Sequence, residues 1–268
     1  MKRRTLELLA CPTCHGELTL SEVRGNGVVE AGSLSCAHCQ RAFPIEAGIP
    51  RFIKAEELAG LNRRFARLYD WFSYLYLPAS QIAGFFGRFV GVSRHDLLKH
   101  LELGGGRVLE VAIGPGVNLP YMYELPGVQE VFGLDISLGQ LQRCQSYCRK
   151  HGWAVDLFLG MAEALPFRDE SFDSLLHFGG INFFSDKKKA IEEMIRVARP
   201  GTKIVIGDET EKVARAYEKI LPGFSRSFEG KRETVVAPVD LVPKEMEEVR
   251  LSTLWRDAIY VLEFRKPR

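Results

Sequence analysis

From residue 107 onward the chain alternates short apolar runs with stretches of helical periodicity. Runs at Val108–Ala112, Val131–Asp135, Val155–Leu159, Phe172–Phe178 and Lys203–Gly207 predict buried strands. Between them, Ser137-Leu-Gly-Gln140 has capping-box spacing for a helix after the second strand. Ile191, Met194, Ile195 and Ala198 form the apolar face of a later helix, which Arg199-Pro-Gly201 stops. Strand and helix in alternation predict a mostly parallel sheet with right-handed crossovers, so the fold class is α/β. After Gly207 come a helix near Val213–Leu221, an irregular Pro/Gly segment and two closing runs, Val249–Trp255 and Ala258–Phe264, which make an antiparallel hairpin. Five parallel strands and the hairpin give a seven-stranded sheet.

The pattern upstream is different. Residues 55 to about 103 read as helical and aromatic, with Phe65, Tyr69, Trp71, Phe72, Tyr74, Tyr76, Phe85, Phe86 and Phe89, broken at Pro78 and Gly91. These side chains either pack helices against the rest of the protein or form a lid over an apolar acceptor. Residues 1–54 contain a hairpin over Leu18–Leu34 that turns at Gly25-Asn26-Gly27. The expected organisation is therefore a small module over 1–54, a helical lid or linker over 55–103 and the main α/β domain over 104–268.

Composition narrows the class of protein. With 46% apolar and 26% charged residues among 268, the chain is ordinary for a globular protein, and a net charge of +2 does not mark a nucleic-acid binder. No run of 18 uninterrupted apolar residues exists, so no transmembrane segment is expected. The amino terminus lacks the apolar stretch of a signal peptide, which predicts a cytoplasmic location. Oligomeric state is not legible.

Four of the six cysteines fall in two pairs, Cys11-Pro-Thr-Cys14 and Cys36-Ala-His-Cys39, separated by 21 residues. Two such knuckles place four thiolates around a tetrahedral zinc; with no open coordination position, the metal is structural. His15 and His38 read as surface residues, and Cys144 and Cys148, spaced i,i+4 on a helix, as ordinary thiols. The context, Leu-Leu-Ala-Cys11-Pro-Thr-Cys14-His-Gly-Glu-Leu18 with Phe43-Pro-Ile45 and Gly48-Ile-Pro50, resembles the small zinc-ribbon proteins that activate and stabilise methyltransferases.

Chemistry in the main domain centres on Arg107-Val-Leu-Glu-Val-Ala-Ile-Gly-Pro-Gly-Val-Asn118, a strand running into a glycine turn and then a helix, with Asn118 as expected cap and Pro120 in the first turn. Gly114 and Gly116 allow a ligand to lie close to the backbone. Asp135 ends the next strand, 25 residues after Glu110, as in nucleotide-type crevices. The turn lacks the third glycine of a dinucleotide fingerprint and the Gly-Lys-Ser/Thr of a phosphate loop.

Four segments together resemble the class I S-adenosylmethionine-dependent methyltransferases with a Rossmann-like fold, above all the quinone-biosynthesis and phospholipid branch. They are Val108–Pro120, Gly133-Leu-Asp-Ile-Ser137, Ala162-Glu-Ala-Leu-Pro-Phe167 with Ser171-Phe-Asp173, and Arg196-Val-Ala-Arg-Pro-Gly201. The resemblance implies that Glu110, Ala112, Gly114 and Gly116 underlie the methionine part of S-adenosylmethionine and that Asp135 holds the ribose hydroxyls. Ile136 would flank the adenine, with Ala162 and Glu163 at its edge. Two positions depart from the family pattern: Ala112 stands where glycine is frequent, and Met161 where an aspartate commonly meets the adenine amine. His177 and Asn182, after the fourth strand, are the candidate catalytic residues, with Asp208 and Glu209 as further rim positions.

The function implied is methylation of a small, fairly apolar acceptor. The alternatives are methylation of rRNA, tRNA or a translation factor, because the ribbon resembles an activator of such enzymes, and a non-catalytic cofactor-binding scaffold, suggested by Ala112 and Met161.

Overall fold

The structure is a computed structural model that describes residues 1–54, 94–102, 106–220 and 234–268. The expected aromatic helices over 55–93 lie outside the described residues.

The amino-terminal module is a four-stranded antiparallel sheet in the order β1 (Leu18–Arg24), β2 (Ala31–Cys36), β3 (Ala42–Glu46) and β4 (Ile49–Pro50). The β1–β2 hairpin turns where predicted, with Gly25 at φ 114° and Gly27 at φ 78°. A 3-10 helix over Arg3–Leu8 precedes it.

The main domain is a seven-stranded sheet comprising β5 (Gly106–Val111), β6 (Val128–Asp135), β7 (Val155–Leu159), β8 (Ser174–Phe178), β9 (Lys203–Glu209), β10 (Glu247–Leu254) and β11 (Ile259–Arg265). Its order is β10-β11-β9-β8-β5-β6-β7, parallel from β9 to β7 and antiparallel at β11 and β10. The helices among the described residues are α1 (Arg94–Leu98), α2 (Leu119–Glu124), α3 (Leu138–His151), α4 (Lys187–Val197) and α5 (Glu211–Ile220). The Ser137 side chain accepts the Gln140 N–H at the start of α3, as its spacing predicted. Most expected element ends move by one to three residues, and the strand expected over Phe172–Phe178 begins at Ser174. Phe172 and Asp173 instead lead into it, their N–H groups bonded to Val197 O and Arg107 O.

The two modules share one core. Leu9, Leu34, Phe43, Ile45 and Phe52 of the ribbon belong to the same buried cluster as Phe132, Phe158, Phe167, Phe172, Ile191 and Met194. Backbone hydrogen bonds stitch the boundary: Phe52 N–H donates to Leu159 O (2.8 Å), Ala10 N–H to Pro166 O (3.1 Å) and Arg168 N–H to Leu8 O (2.8 Å). Asp156 on β7 accepts from the Lys2 backbone N–H (2.9 Å) and the Thr5 hydroxyl. β7 ends the main sheet, and Arg51 bridges Leu159 in parallel, so the ribbon shields an edge strand that would otherwise present unpaired backbone.

The Leu165-Pro-Phe167 segment is the hinge of this union. Leu165 and Phe167 are fully buried, and Phe167 meets Phe158 and Phe172 edge-on at 5.1 and 4.8 Å. Glu193 and Arg196 of α4 clamp it. Glu193 accepts the Leu165 N–H (2.9 Å), while Arg196 donates to Leu165 O (3.0 Å), Phe167 O (2.7 Å) and both Glu193 oxygens (2.8 Å each).

Candidate functional site

β5 has β6 on one side and β8 on the other, so the order reverses at the carboxyl end of β5 and opens a crevice there. The glycine turn follows directly. Ala112 takes a left-handed φ of 60°, which costs an L-residue on the order of 1 kcal/mol and accounts for the family's preference for glycine there. Gly114 is also left-handed at 56°, and a Cβ built on it would meet nothing within 4 Å: it borders open space. Gly116 has a different task. A Cβ there would come within 2.7 Å of Leu119 and 2.9 Å of the Cys144 sulphur, so this glycine lets α2 and α3 pack close under the turn.

Asp135, at the end of β6, is nearly buried and oriented by two backbone donors: Gly114 N–H at 2.8 Å and Ser137 N–H at 2.9 Å. The acid is thereby tied to the glycine turn. Glu110 is wholly buried. Its Oε1 accepts the Asn118 amide (2.6 Å), whose own oxygen accepts from Arg94 (2.9 Å), while its Oε2 is buried with no hydrogen-bond partner among the described residues. Burial pushes the Glu110 carboxyl up to about 8, opposed by the Asn118 bond. The side chain of Asn118 does not cap α2 as its position suggested; the Glu110 carboxylate competes for it and wins.

At the adenine edge, Ala162 is buried and Ile136 half-buried. Glu163 accepts the N–H groups of Ser185 (3.0 Å) and Asp186 (3.3 Å), ahead of α4. Met161 pairs with Ala164 in an isolated bridge, which offers backbone groups at this edge.

His177 is completely buried on β8. Its Nδ1–H donates to Val111 O (2.9 Å), its Nε2 has no partner among the described residues, and burial pulls it down to about 4, so it is neutral at physiological pH. Asn182 is held by Asp208, which accepts its amide at 2.9 Å and its N–H at 3.3 Å, and by Lys187, which donates to its oxygen at 3.4 Å. Asp208 also accepts the N–H of Gly180 and of Glu209, so this buried carboxylate shapes the loop after β8. Arg94, which reaches Asn118, was not legible as a site residue, nor was Trp255, whose ring meets Phe178. The lone signal for Trp255 was a large aromatic at a hairpin turn.

In the ribbon the four cysteine sulphurs lie within 4.8 Å of one another, with Cys11–Cys39 and Cys14–Cys36 at 3.5 Å. A tetrahedral zinc with bonds near 2.3 Å separates its sulphurs by about 3.8 Å. The donor set therefore fits a closed structural zinc.

Fold and crevice, taken with the family matches, are those of a class I methyltransferase domain joined to an amino-terminal four-cysteine ribbon. Residues 109–206 match the family described as Methyltransferase domain, and residues 2–48 the family described as Trm112p-like protein. A phthiotriol/phenolphthiotriol dimycocerosates methyltransferase from Mycobacterium ulcerans is 35% identical over 115 residues, 42% of this chain and 41% of that protein. The demethylmenaquinone methyltransferase of Renibacterium salmoninarum is 38% identical over 104 residues, 39% of this chain and 41% of the relative. The chain thus spans well under half the length of these curated relatives. Among solved structures, a SAM-dependent methyltransferase from Thermotoga maritima aligns with a TM-score of 0.54 at 22% identity, covering 77% of this chain and all of that one. A complex of the Haloferax volcanii Trm112 methyltransferase activator aligns at 0.52 and 13%, covering 75% and 98%. At these identities both matches speak to fold alone. S-adenosylmethionine is the cofactor of this class, and the turn fits it: open space at Gly114 and an unpartnered, buried Glu110 oxygen suit a cationic ligand.

Proposed function

We propose that this protein transfers a methyl group from S-adenosylmethionine to a small, fairly apolar acceptor. The observation that carries the proposal is the match of residues 109–206 to the methyltransferase domain, laid over a crevice whose buried acids and glycine turn suit a sulfonium amino acid. Glu110 and Asp135 would hold the cofactor by its ammonium and ribose ends, with Gly114 between them and Ile136 and Ala162 along the adenine. When bound, the cofactor supplies an electrophilic methyl group on a positively charged sulphur. The protein's part is alignment and exclusion of water, which can supply most of the rate for an in-line displacement.

His177 is poorly placed to take up a proton. Charging it inside the core, against a value of about 4, costs about 3 kcal/mol relative to an exposed imidazole. Its bare Nε2 serves better as a fixed acceptor that orients a donor, and Asn182, braced by Asp208, sets the loop beside it. The apolar character of the acceptor is supported by the names of the relatives, which refer to demethylmenaquinone and to phthiotriol dimycocerosates, and by Phe178 at the end of β8 with Phe183 and Phe184 on the loop after it.

Mass spectrometry of cell extract incubated with isotopically labelled S-adenosylmethionine tests the proposal: a labelled small organic product is expected. Label confined to RNA or protein would favour the second reading, in which the Trm112p-like ribbon (residues 2–48) directs the domain to translation components. On that reading nucleic-acid binding would weaken steeply with salt.

A further inference from the structure

A continuous line of contacts runs from the cofactor acid to the closing hairpin. Glu110 holds Asn118, Asn118 holds Arg94, and the Arg94 guanidinium lies 5.0 Å above the Phe178 ring at the end of β8. The Phe178 ring in turn meets Trp255 at 6.2 Å, tilted by 74°. Trp255 opens the turn between β10 and β11. Because Ile259 pairs with Glu209, that turn stands at the carboxyl end of β9, on the same rim as the glycine turn.

Two independent features mark Trp255. Its indole Nε1 is buried and has no hydrogen-bond partner among the described residues, a costly state for a donor that usually finds one. Its backbone is also strained. Trp255, Arg256 and Asp257 are left-handed in succession, at φ 55°, 55° and 62°, where hairpins ordinarily use glycine or asparagine. The strain is held by specific bonds: Thr210 donates to Asp257 O (2.7 Å), Lys212 to Arg256 O (2.6 Å) and Thr253 to the Asp257 carboxylate (2.6 Å). A turn so constrained, opening on an orphan donor whose ring meets Phe178, is the signature of a prepared contact.

We propose that Trp255 is an acceptor-specificity residue: its indole N–H donates to an oxygen carried on a planar ring of the methyl acceptor, which packs against Phe178. This rests on the methyltransferase reading and sharpens its acceptor class from apolar to ring-borne carbonyl or hydroxyl. Glu110 and Asp135 fix the cofactor over β5 and β6, leaving β8 and β9 for the acceptor. Arg94 couples the two halves through Asn118.

The test uses the full-length 15N-labelled chain saturated with S-adenosylhomocysteine. Three indole N–H signals arise from Trp71, Trp153 and Trp255, and Trp255→Phe identifies the third. The probes are 1-tetralone and tetralin, matched in shape but differing in the carbonyl. Addition of 1-tetralone is expected to shift the Trp255 indole proton downfield while tetralin leaves it in place. Trp255→Phe should weaken 1-tetralone binding about fivefold, the range for one neutral hydrogen bond, with tetralin binding unaltered. A Trp255 signal that stays fixed, or moves equally with both probes, overturns the assignment. Wild-type chain that fails to bind S-adenosylhomocysteine at the outset overturns the methyltransferase reading instead.

Discussion

Replacing Glu110 by glutamine removes one buried ionisation while keeping the shape of the side chain and an oxygen for Asn118. Burial raises the Glu110 carboxyl from 4.5 to about 8. An acid with a folded value above its unfolded value holds its proton longer when folded. Its contribution to stability is therefore fully present below pH 4.5 and is lost as pH rises towards 8. Integrating between pH 5 and pH 8.5 gives a relative loss of about 4 kcal/mol in the wild type, absent from Glu110→Gln. Urea denaturation of both proteins without cofactor across that range reads the difference directly, since groups common to both cancel. The variant should gain on the wild type with rising pH, and saturating S-adenosylhomocysteine should flatten the wild-type curve by giving the carboxylate a cation. Parallel curves at all pH values would refute the buried, unpaired oxygen on which the cofactor argument leans.

Ala112→Gly relieves a left-handed alanine and is expected to stabilise the chain by about 1 kcal/mol, visible as a raised melting temperature; a lowered one would show that the turn is unstrained. Because ribbon and domain share one core, removing zinc by chelation or by Cys36→Ser should melt both in a single transition, with about one zinc per chain before treatment. Scanning calorimetry that shows two separate transitions would contradict this. Arg196→Ala leaves buried Glu193 with only the more distant Lys189 (4.0 Å) as a lysine or arginine partner and should cost about 3 kcal/mol in urea denaturation; a loss below 1 kcal/mol would mean that the clamp on Leu165–Phe167 is dispensable.

The alternation of strands was legible because the parallel strands are largely buried and read as mainly apolar runs, as Val155–Leu159 does with Asp156 as its one polar residue. Cysteine spacing and the Leu165-Pro-Phe167 segment were equally legible, but not their joint meaning. That Phe167 sits in one core with Phe43 and Phe52 depends on a contact across more than a hundred positions, which local pattern cannot carry. The Glu193–Arg196 clamp was hidden for a related reason: an i,i+3 charge pair ordinarily marks a solvated helix face, and here that face is buried. Among the site residues, Gly116 and Asn118 were seen as ligand and cap. Tertiary packing gives Gly116 to Leu119 and Cys144, and the buried carboxylate of Glu110 claims Asn118. The strain at Trp255 was invisible because no glycine or asparagine announces that turn.

The most direct test of the central claim is calorimetric titration of S-adenosylhomocysteine into the wild-type chain and into Asp135→Asn. One site per chain is expected, weakened about tenfold by the substitution, the equivalent of roughly 1.4 kcal/mol for one lost charge-assisted bond. A wild-type chain that binds no S-adenosylhomocysteine, or a variant that binds it equally well, would contradict the account.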